Sequence, residues 1–419
     1  RAVADRADLI SDWAMHGDRL YLLSAKGASN RQLLSVPLAD PDLAKARVEV
    51  AESPEIVLVG FAIARDGLYL RQMIEGRARI VRRPWRGGRD TTLALPFEGW
   101  IPGLASDDLA DGVTFALQGW TRPSTIYAVR GTTVVPTGLA TTSSADYSNI
   151  QVDQVVVTSP DGARVPLSIL RRKDLVLDGS HPTYLYGYGA YGASQTPGFN
   201  PSRLAWLERG GIAAIAHVRG GGEKGRAWQD TGTREHKLSG IRDFIACGEY
   251  LIAQKYTTAS RLVAMGASMG GILVGRAVME RPDLFAAASI GAGIVNPIRI
   301  LLAENGANQK VELGDPTTEA GYRSIATIDP YLHVRPNTKY PALIFTVGLN
   351  DHRVAPWMTA KLAARIQRAT SSKQPILVRV ETSAGHGIGS TADQYAAERA
   401  DVWSVFLAIT GDPAFALKP

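Results

Sequence analysis

Arg261-Leu262-Val263-Ala264-Met265-Gly266-Ala267-Ser268-Met269-Gly270-Gly271-Ile272-Leu273-Val274 is the stretch from which the rest of this chain is read. Residues 261–265 read as a strand, and after Arg261 they form an apolar run without alternation, the pattern of a strand buried on both faces. From 270 to 280 the pattern is helical. Between the two stands Gly-x-Ser-x-Gly. A sharp strand-to-helix turn forces Ser268 into a strained backbone conformation, and side chains at the flanking positions would collide, so glycine is needed there. The turn lifts the Ser268 hydroxyl above the sheet. It also places the Met269 N–H where an oxyanion develops during attack on a carbonyl. The bare pattern also occurs in Gly-rich packing loops; its position between a strand and a helix gives it weight.

Working outward, strands are expected near 152–158, 166–170, 183–186, 212–217, 286–290, 342–347 and 375–380. Helical patterns fall at 202–209, 241–254, 356–368 and 391–409. The runs at 212, 261, 342 and 375 lack alternation, as strands buried on both faces do. Alternating strand and helix over 147–419 predicts an α/β domain with a mostly parallel, doubly wound sheet. Residues 1–146 read differently. Short apolar runs recur at roughly 8–14-residue spacing between Asp, Gly, Pro and Arg-rich turns, the mark of antiparallel all-β structure. Two or three propeller blades of roughly 40–50 residues fit this length; a small β-sandwich is the alternative. A Thr/Ser/Ala-rich linker, 138–148, separates the regions.

A serine nucleophile needs a base and an orienting acid, in the chain order Ser, acid, His for this fold. Three of the seven histidines follow Ser268: His333, His352 and His386. His386 lies in Ala384-Gly385-His386-Gly387, a flexible loop just past a strand, from which it can swing over the nucleophile. Asp351 follows the 342–347 strand, at the edge where catalytic groups gather in α/β folds. Its expected role is to hold the His386 tautomer. A turn-forming Asp and a surface-loop His are the plainer readings of these two.

Composition excludes much. Hydrophobic residues make up 45% and charged residues 21%, enough apolar material to exclude disorder as the main state. The net charge of +6 is mild for 419 residues and no Lys/Arg run accompanies it, so no nucleic-acid partner is expected. No apolar stretch is long enough to span a membrane. One cysteine, Cys247, excludes an intramolecular disulfide and a Cys-based zinc cluster. Gly187-Tyr188-Gly189-Ala190-Tyr191-Gly192 fits the dinucleotide fingerprint, but Pro197 and Pro201 stand where its helix should open. No metal and no organic cofactor is expected.

With these residues in hand, the chain resembles the prolyl oligopeptidase family of serine peptidases from about Tyr147 onward. The motifs that carry the resemblance are Leu185-Tyr186-Gly187-Tyr188-Gly189, Arg219-Gly220-Gly221-Gly222-Glu223, the elbow followed by Gly271, Arg281-Pro282-Asp283-Leu284-Phe285, Asp351-His352-Arg353-Val354 and Ala384-Gly385-His386-Gly387. The resemblance implies an α/β-hydrolase domain capped by a β-propeller that filters substrates by size, with residues 1–146 as its C-terminal blades. An all-β segment this short does not close a propeller. The chain starts at Arg1 rather than Met. The remaining N-terminal blades are therefore expected on a separate segment or chain, as a partner. A targeting region is expected there too, and a soluble cytoplasmic or periplasmic protein is anticipated.

Carried over by position, the resemblance implies Ser268 as nucleophile, Asp351 as acid and His386 as base. Tyr188 would complete the oxyanion hole with the Met269 N–H, and Arg353 would bind a substrate carbonyl. Tyr191, Met269, Leu313 and Val354 would line the pocket for the residue before the scissile bond. Gln309 stands where the family has a proline-stacking Trp, Leu313 replaces a Tyr, Met269 an Asn and His352 an acidic residue. Losing an aromatic face weakens proline preference. The expected activity is acyl transfer from short or compact peptides to water. An isopeptidase acting on a lasso-type peptide, an esterase or aminopeptidase-like hydrolase, and a catalytically silent binding propeller remain alternatives.

Overall fold

Two-residue turns recur along the first part of the chain. Gly17-Asp18, Arg65-Asp66, Glu75-Gly76 and Gly131-Thr132 each join neighbouring antiparallel strands. Gly17, Glu75, Gly76 and Gly131 have positive φ, the backbone that two-residue hairpins require. A computed structural model describes residues 3–387 and 390–416. The chain divides into two units. The first holds Arg1–Tyr147 with two later segments, Thr196–Pro201 and Gly222–Trp228; the second holds Ser148–Gln195, Ser202–Gly221 and Gln229–Pro419.

The first unit contains three four-stranded antiparallel sheets, the blades of a β-propeller. They are formed by β1 (Ile10–His16), β2 (Arg19–Ser24), β3 (Gln32–Pro37) and β4 (Arg47–Val50); by β5 (Val57–Ala64), β6 (Gly67–Ile74), β7 (Arg77–Pro84) and β8 (Thr91–Thr92); and by β9 (Leu104–Ala105), β10 (Thr114–Leu117), β11 (Thr125–Arg130) and β12 (Thr133–Ala140). The middle sheet is buried on both sides. Leu68 and Leu70 of β6 pack with Tyr21, Leu23 and Leu33, while Tyr69 between them packs with Phe115, Leu117 and Tyr127. Period-two alternation of a strand makes this double burial possible. Arg71 of the same strand donates to the Val59 and Ile101 carbonyls, and the missing side chain of Gly60 leaves room for its guanidinium. On β1, Trp13 and Met15 are exposed.

The second unit is built on one eight-stranded sheet in the order β13-β14-β16-β15-β17-β18-β19-β20. Its strands are β13 (Ile150–Thr158), β14 (Arg164–Arg172), β15 (Thr183–Tyr186), β16 (Ile212–Ala216), β17 (Leu262–Ala267), β18 (Ala287–Gly291), β19 (Ala342–Gly348) and β20 (Ile376–Glu381). β13 and β14 are antiparallel; β15 to β20 run parallel. The α-helices among the described residues are α1 (Leu204–Leu207), α2 (Gly225–Asp230), α3 (Leu238–Ala253), α4 (Gly270–Glu280), α5 (Lys310–Leu313), α6 (Glu319–Ile328), α7 (Pro356–Ala369) and α8 (Ala392–Thr410). This is the expected α/β-hydrolase sheet. β20 differs from its expected double burial: it is the sheet edge, and Leu377, Val378 and Val380 are exposed. α6 carries only two fully buried apolar residues, Ile325 and Ile328, and so left no apolar run in the sequence.

Arg219 anchors the loop after β16. Its guanidinium donates to both carboxylate oxygens of Asp243 on α3, at 2.6 and 2.9 Å, and its backbone N–H donates to Asp243 as well. The Asp243 side chain is fully buried, whereas the second partner, Asp161, is half-exposed. On the same helix the Cys247 thiol is completely buried, and burial pushes its pKa well up. Removing one member of a buried pair strands the other charge. Asp243→Ala is therefore expected to cost about 3–5 kcal/mol in urea unfolding, and Asp161→Ala about 1 kcal/mol or less.

Candidate active site

The turn from β17 into α4 is left-handed at Ser268, with φ +54°. Such a residue is strained unless its surroundings over-determine it, and here they do. The Ser268 N–H donates to Gly291 O of β18 at 2.8 Å, and the Ser268 carbonyl accepts the Ile294 N–H at 2.9 Å. A Cβ on Gly266 would stand 2.7 Å from Gly270 O, one on Gly270 2.9 Å from Gly187 O, and one on Gly271 2.7 Å from Gly293 Cα. Backbone occupies the space on all three sides, which is the physical reason for the glycines. The Met269 N–H, next to Ser268, finds no acceptor among the described residues.

Asp351 lies three residues beyond the end of β19. One carboxylate oxygen accepts the N–H groups of Arg353 and Val354, both at 2.8 Å; the other meets His386 Nδ1 at 2.6 Å. Two backbone donors thus aim the carboxylate at the imidazole. His386 follows β20, and its loop lies close against the end of β19: the Asn350 N–H donates to Ala384 O, and a Cβ on Gly348 would stand 2.2 Å from Gly385 O. His386 Nε2 is 3.1 Å from Ser268 Oγ. A carboxylate can only accept, so Nδ1 carries the proton and Nε2 faces the hydroxyl as a base. Chemically, this arrangement can withdraw a proton from Ser268 and stabilise the resulting imidazolium.

Tyr188 follows β15 within the Gly187–Gly192 loop. Its phenol is beside Ser268: burial raises its pKa, the Glu312 carboxylate raises it further, and its hydrogen bond with Ser268 and the Arg353 charge pull it back. Tyr191, at φ +57°, is 41% exposed, and its hydroxyl bonds Gln309 Oε1. Met269, Leu313 and Val354 are buried, and Val354 is tied to the site through Asp351. Arg353 and His352 are exposed, and His352 Nδ1 pairs with Glu304 at 2.8 Å. The structure therefore brings Ser268, Asp351, His386, Tyr188 and Met269 together and links Tyr191 to Gln309. It leaves Leu313 and Val354 with little open surface.

Sequence reasoning missed Lys237 and Glu312. Both are buried, their charges meet at 2.7 Å, and Glu312 also accepts the Tyr191 N–H. Neither belongs to a recognisable motif; the only signal was Glu312 standing between Val311 and Leu313, and Lys237 gave none. Among the described residues no His, Cys, Asp and Glu group could hold a metal ion, and no helix is long and apolar enough to cross a membrane.

The profile of the prolyl oligopeptidase family matches residues 197–412, and that of its N-terminal β-propeller domain matches residues 1–134. The chain is 32% identical to the prolyl endopeptidase of Elizabethkingia meningoseptica over 403 residues, which is 93% of this chain and 56% of that protein. It is 28% identical to dipeptidyl aminopeptidase BI of Pseudoxanthomonas mexicana, covering 93% of this chain and 55% of that protein. It thus spans little more than half the length of these relatives. Among solved structures, prolyl oligopeptidase B from Galerina marginata, bound to a 35mer hydrolysis and macrocyclization substrate, superposes with a TM-score of 0.90 at 26% identity, covering 96% of this chain and 58% of that one.

The elbow geometry predicts one outcome directly. Gly271→Ala places a methyl against the Gly293 backbone and must shift Ser268. Labelling by a serine-directed phosphonate is expected to slow at least about tenfold, equivalent to about 1.4 kcal/mol of barrier. Far-UV circular dichroism should stay near that of the parent.

Proposed function

This chain belongs to the prolyl oligopeptidase family, and we propose that it is a serine peptidase acting through Ser268, His386 and Asp351. The observation that carries the reading is the continuous chain from the Asp351 carboxylate through His386 to Ser268 Oγ, at the carboxyl ends of β17, β19 and β20. His386 takes the Ser268 proton as the hydroxyl attacks a peptide carbonyl. The Met269 N–H and the Tyr188 hydroxyl donate to the tetrahedral oxyanion. Protonated His386 delivers its proton to the leaving amine, and water then hydrolyses the acyl-enzyme by the same route. Tyr188 can act only as a phenol, and burial together with Glu312 favours that form. Arg353, exposed beside the site, is suited to bind a substrate carbonyl.

The proposed substrates are short or compact peptides, cut with weakened proline preference. Gln309 supports this part. Its amide, hydrogen-bonded to Tyr191, stands where the family's stacking aromatic is expected, and an amide has no ring face to lay on a pyrrolidine.

The test is a peptide panel that varies the residue before the cut and includes one isopeptide-linked compact peptide. Ser268→Ala is expected to lower kcat/KM by about 10³ or more. Cleavage is expected after several residue types. Undiminished turnover by Ser268→Ala overturns the mechanism. Dominant cleavage after proline overturns the specificity.

A further inference from the structure

Lys237 and Glu312 are charged, yet only 4% and 2% exposed. Desolvating two such groups is costly, and an apolar pair of the same volume often serves stability as well or better. What distinguishes this pair is where its remaining hydrogen bonds go. Lys237 Nζ donates to Glu312 Oε1 at 2.7 Å and to Gly189 O at 3.2 Å. Glu312 Oε2 accepts the Tyr191 N–H at 2.9 Å. One ion pair therefore grips both polar backbone senses of one short loop, a carbonyl and an N–H two residues apart.

That loop is under constraint. Gly189, Tyr191 and Gly192 all have positive φ, and Tyr191 pays the steric cost of a side chain in that region. Tyr188 stands between Gly187 and Gly189. A Cβ on Gly187 would meet Leu273 at 2.7 Å and Phe244 at 2.8 Å; one on Gly189 would meet Val218 at 2.7 Å. The loop is thus walled in on its apolar side and held on its polar side by the Lys237–Glu312 pair.

We propose that Lys237 and Glu312 are positioning residues for the reaction. They clamp the Gly187–Gly192 loop so that the Tyr188 hydroxyl stands ready to donate to the oxyanion beside Ser268. The inference rests on the mechanism proposed above, in which Tyr188 is that donor. The pair acts through Tyr188 and touches no reacting atom. Its loss is felt in the transition state, where charge develops, more than in substrate binding.

The charge has a second consequence. The groups that act on the Tyr188 phenol are Glu312 from α5, itself paired with Lys237 ahead of α3, Ser268 from the elbow with His386 behind it, and Arg353 from the loop after β19; Tyr186 and Tyr191 feel the Tyr188 charge in their turn. Among the described residues, Glu312 is the carboxylate that raises the phenol. Neutralising it lets the phenol ionise at lower pH. A phenolate cannot donate, so the alkaline limb of kcat moves to lower pH.

The experiment measures kcat, KM and their pH profiles on the best peptide of the panel. It compares the parent, Glu312→Gln, Lys237→Met, the double variant and Lys237→Arg, each with Tyr188 and with Tyr188→Phe. Glu312→Gln keeps an acceptor for the Tyr191 N–H and remains informative if Lys237→Met does not fold. With Tyr188 present, Glu312→Gln is expected to lower kcat about tenfold with KM within about twofold, against about 10² for loss of the donor itself. Its alkaline limb should move down, and Lys237→Arg should restore most of the kcat lost in Lys237→Met. With Tyr188→Phe, the Glu312→Gln effect and the limb shift should both vanish. The proposal is overturned if Glu312→Gln is folded with unchanged kcat, or if its effect multiplies with that of Tyr188→Phe. Failure of the underlying mechanism shows separately, as undiminished turnover by Ser268→Ala.

Discussion

The contact between two stretches of bare backbone at Gly271 and Gly293 is the constraint on which the second unit's organisation depends. It lets α4 begin hard against the end of β18, and only then can Ser268 bond Gly291 O and Ile294 N at once. Those two bonds hold a left-handed serine that its own sterics disfavour. Close packing thus supplies the energy that keeps the hydroxyl above the sheet. The same device recurs at Gly348, where the missing side chain admits the backbone of the His386 loop. Two glycine-mediated approaches, one under each partner, set the distance between Ser268 and His386.

Polar groups then fix direction. Asp351 is aimed by two backbone donors and spends its remaining oxygen on His386. The Tyr188 loop is held by a buried cation and a buried anion, each satisfied by backbone. In both cases a charge is tolerated because every partner is a fixed dipole or an opposite charge. Arg219 and Asp243 repeat the arrangement beneath the loop after β16. The site thus stands on three separate polar anchors set in an apolar sheet.

What was legible in the sequence followed from local chemistry. The strand, elbow and helix around Ser268 could be read because glycine and serine are needed there for backbone reasons. Asp351 and His386 could be read because chain order and strand ends left few candidates. The hairpins of the first unit were legible where apolar runs were continuous. β1 was not: its burial alternates but its sequence does not, because the large apolar Trp13 and Met15 lie on the exposed side while Asp12 and His16 lie on the other. β20 looked like an interior strand because Ile376-Leu377-Val378 is apolar, yet edge position is decided by topology, which no single strand encodes. Lys237 and Glu312 lie 75 residues apart, and nothing local records that their charges will meet.

Cys247 has a consequence of another kind. It is the one thiol of the chain, fully enclosed on α3, and burial keeps it protonated. Thiol reagents attack only the exposed thiolate, so they must wait for α3 to part from the sheet. The helix that carries Cys247 also carries Asp243, and Lys237 immediately precedes it. A single sulfur atom therefore serves as an internal clock. Its rate of modification counts how often the scaffold beneath the Tyr188 loop comes undone.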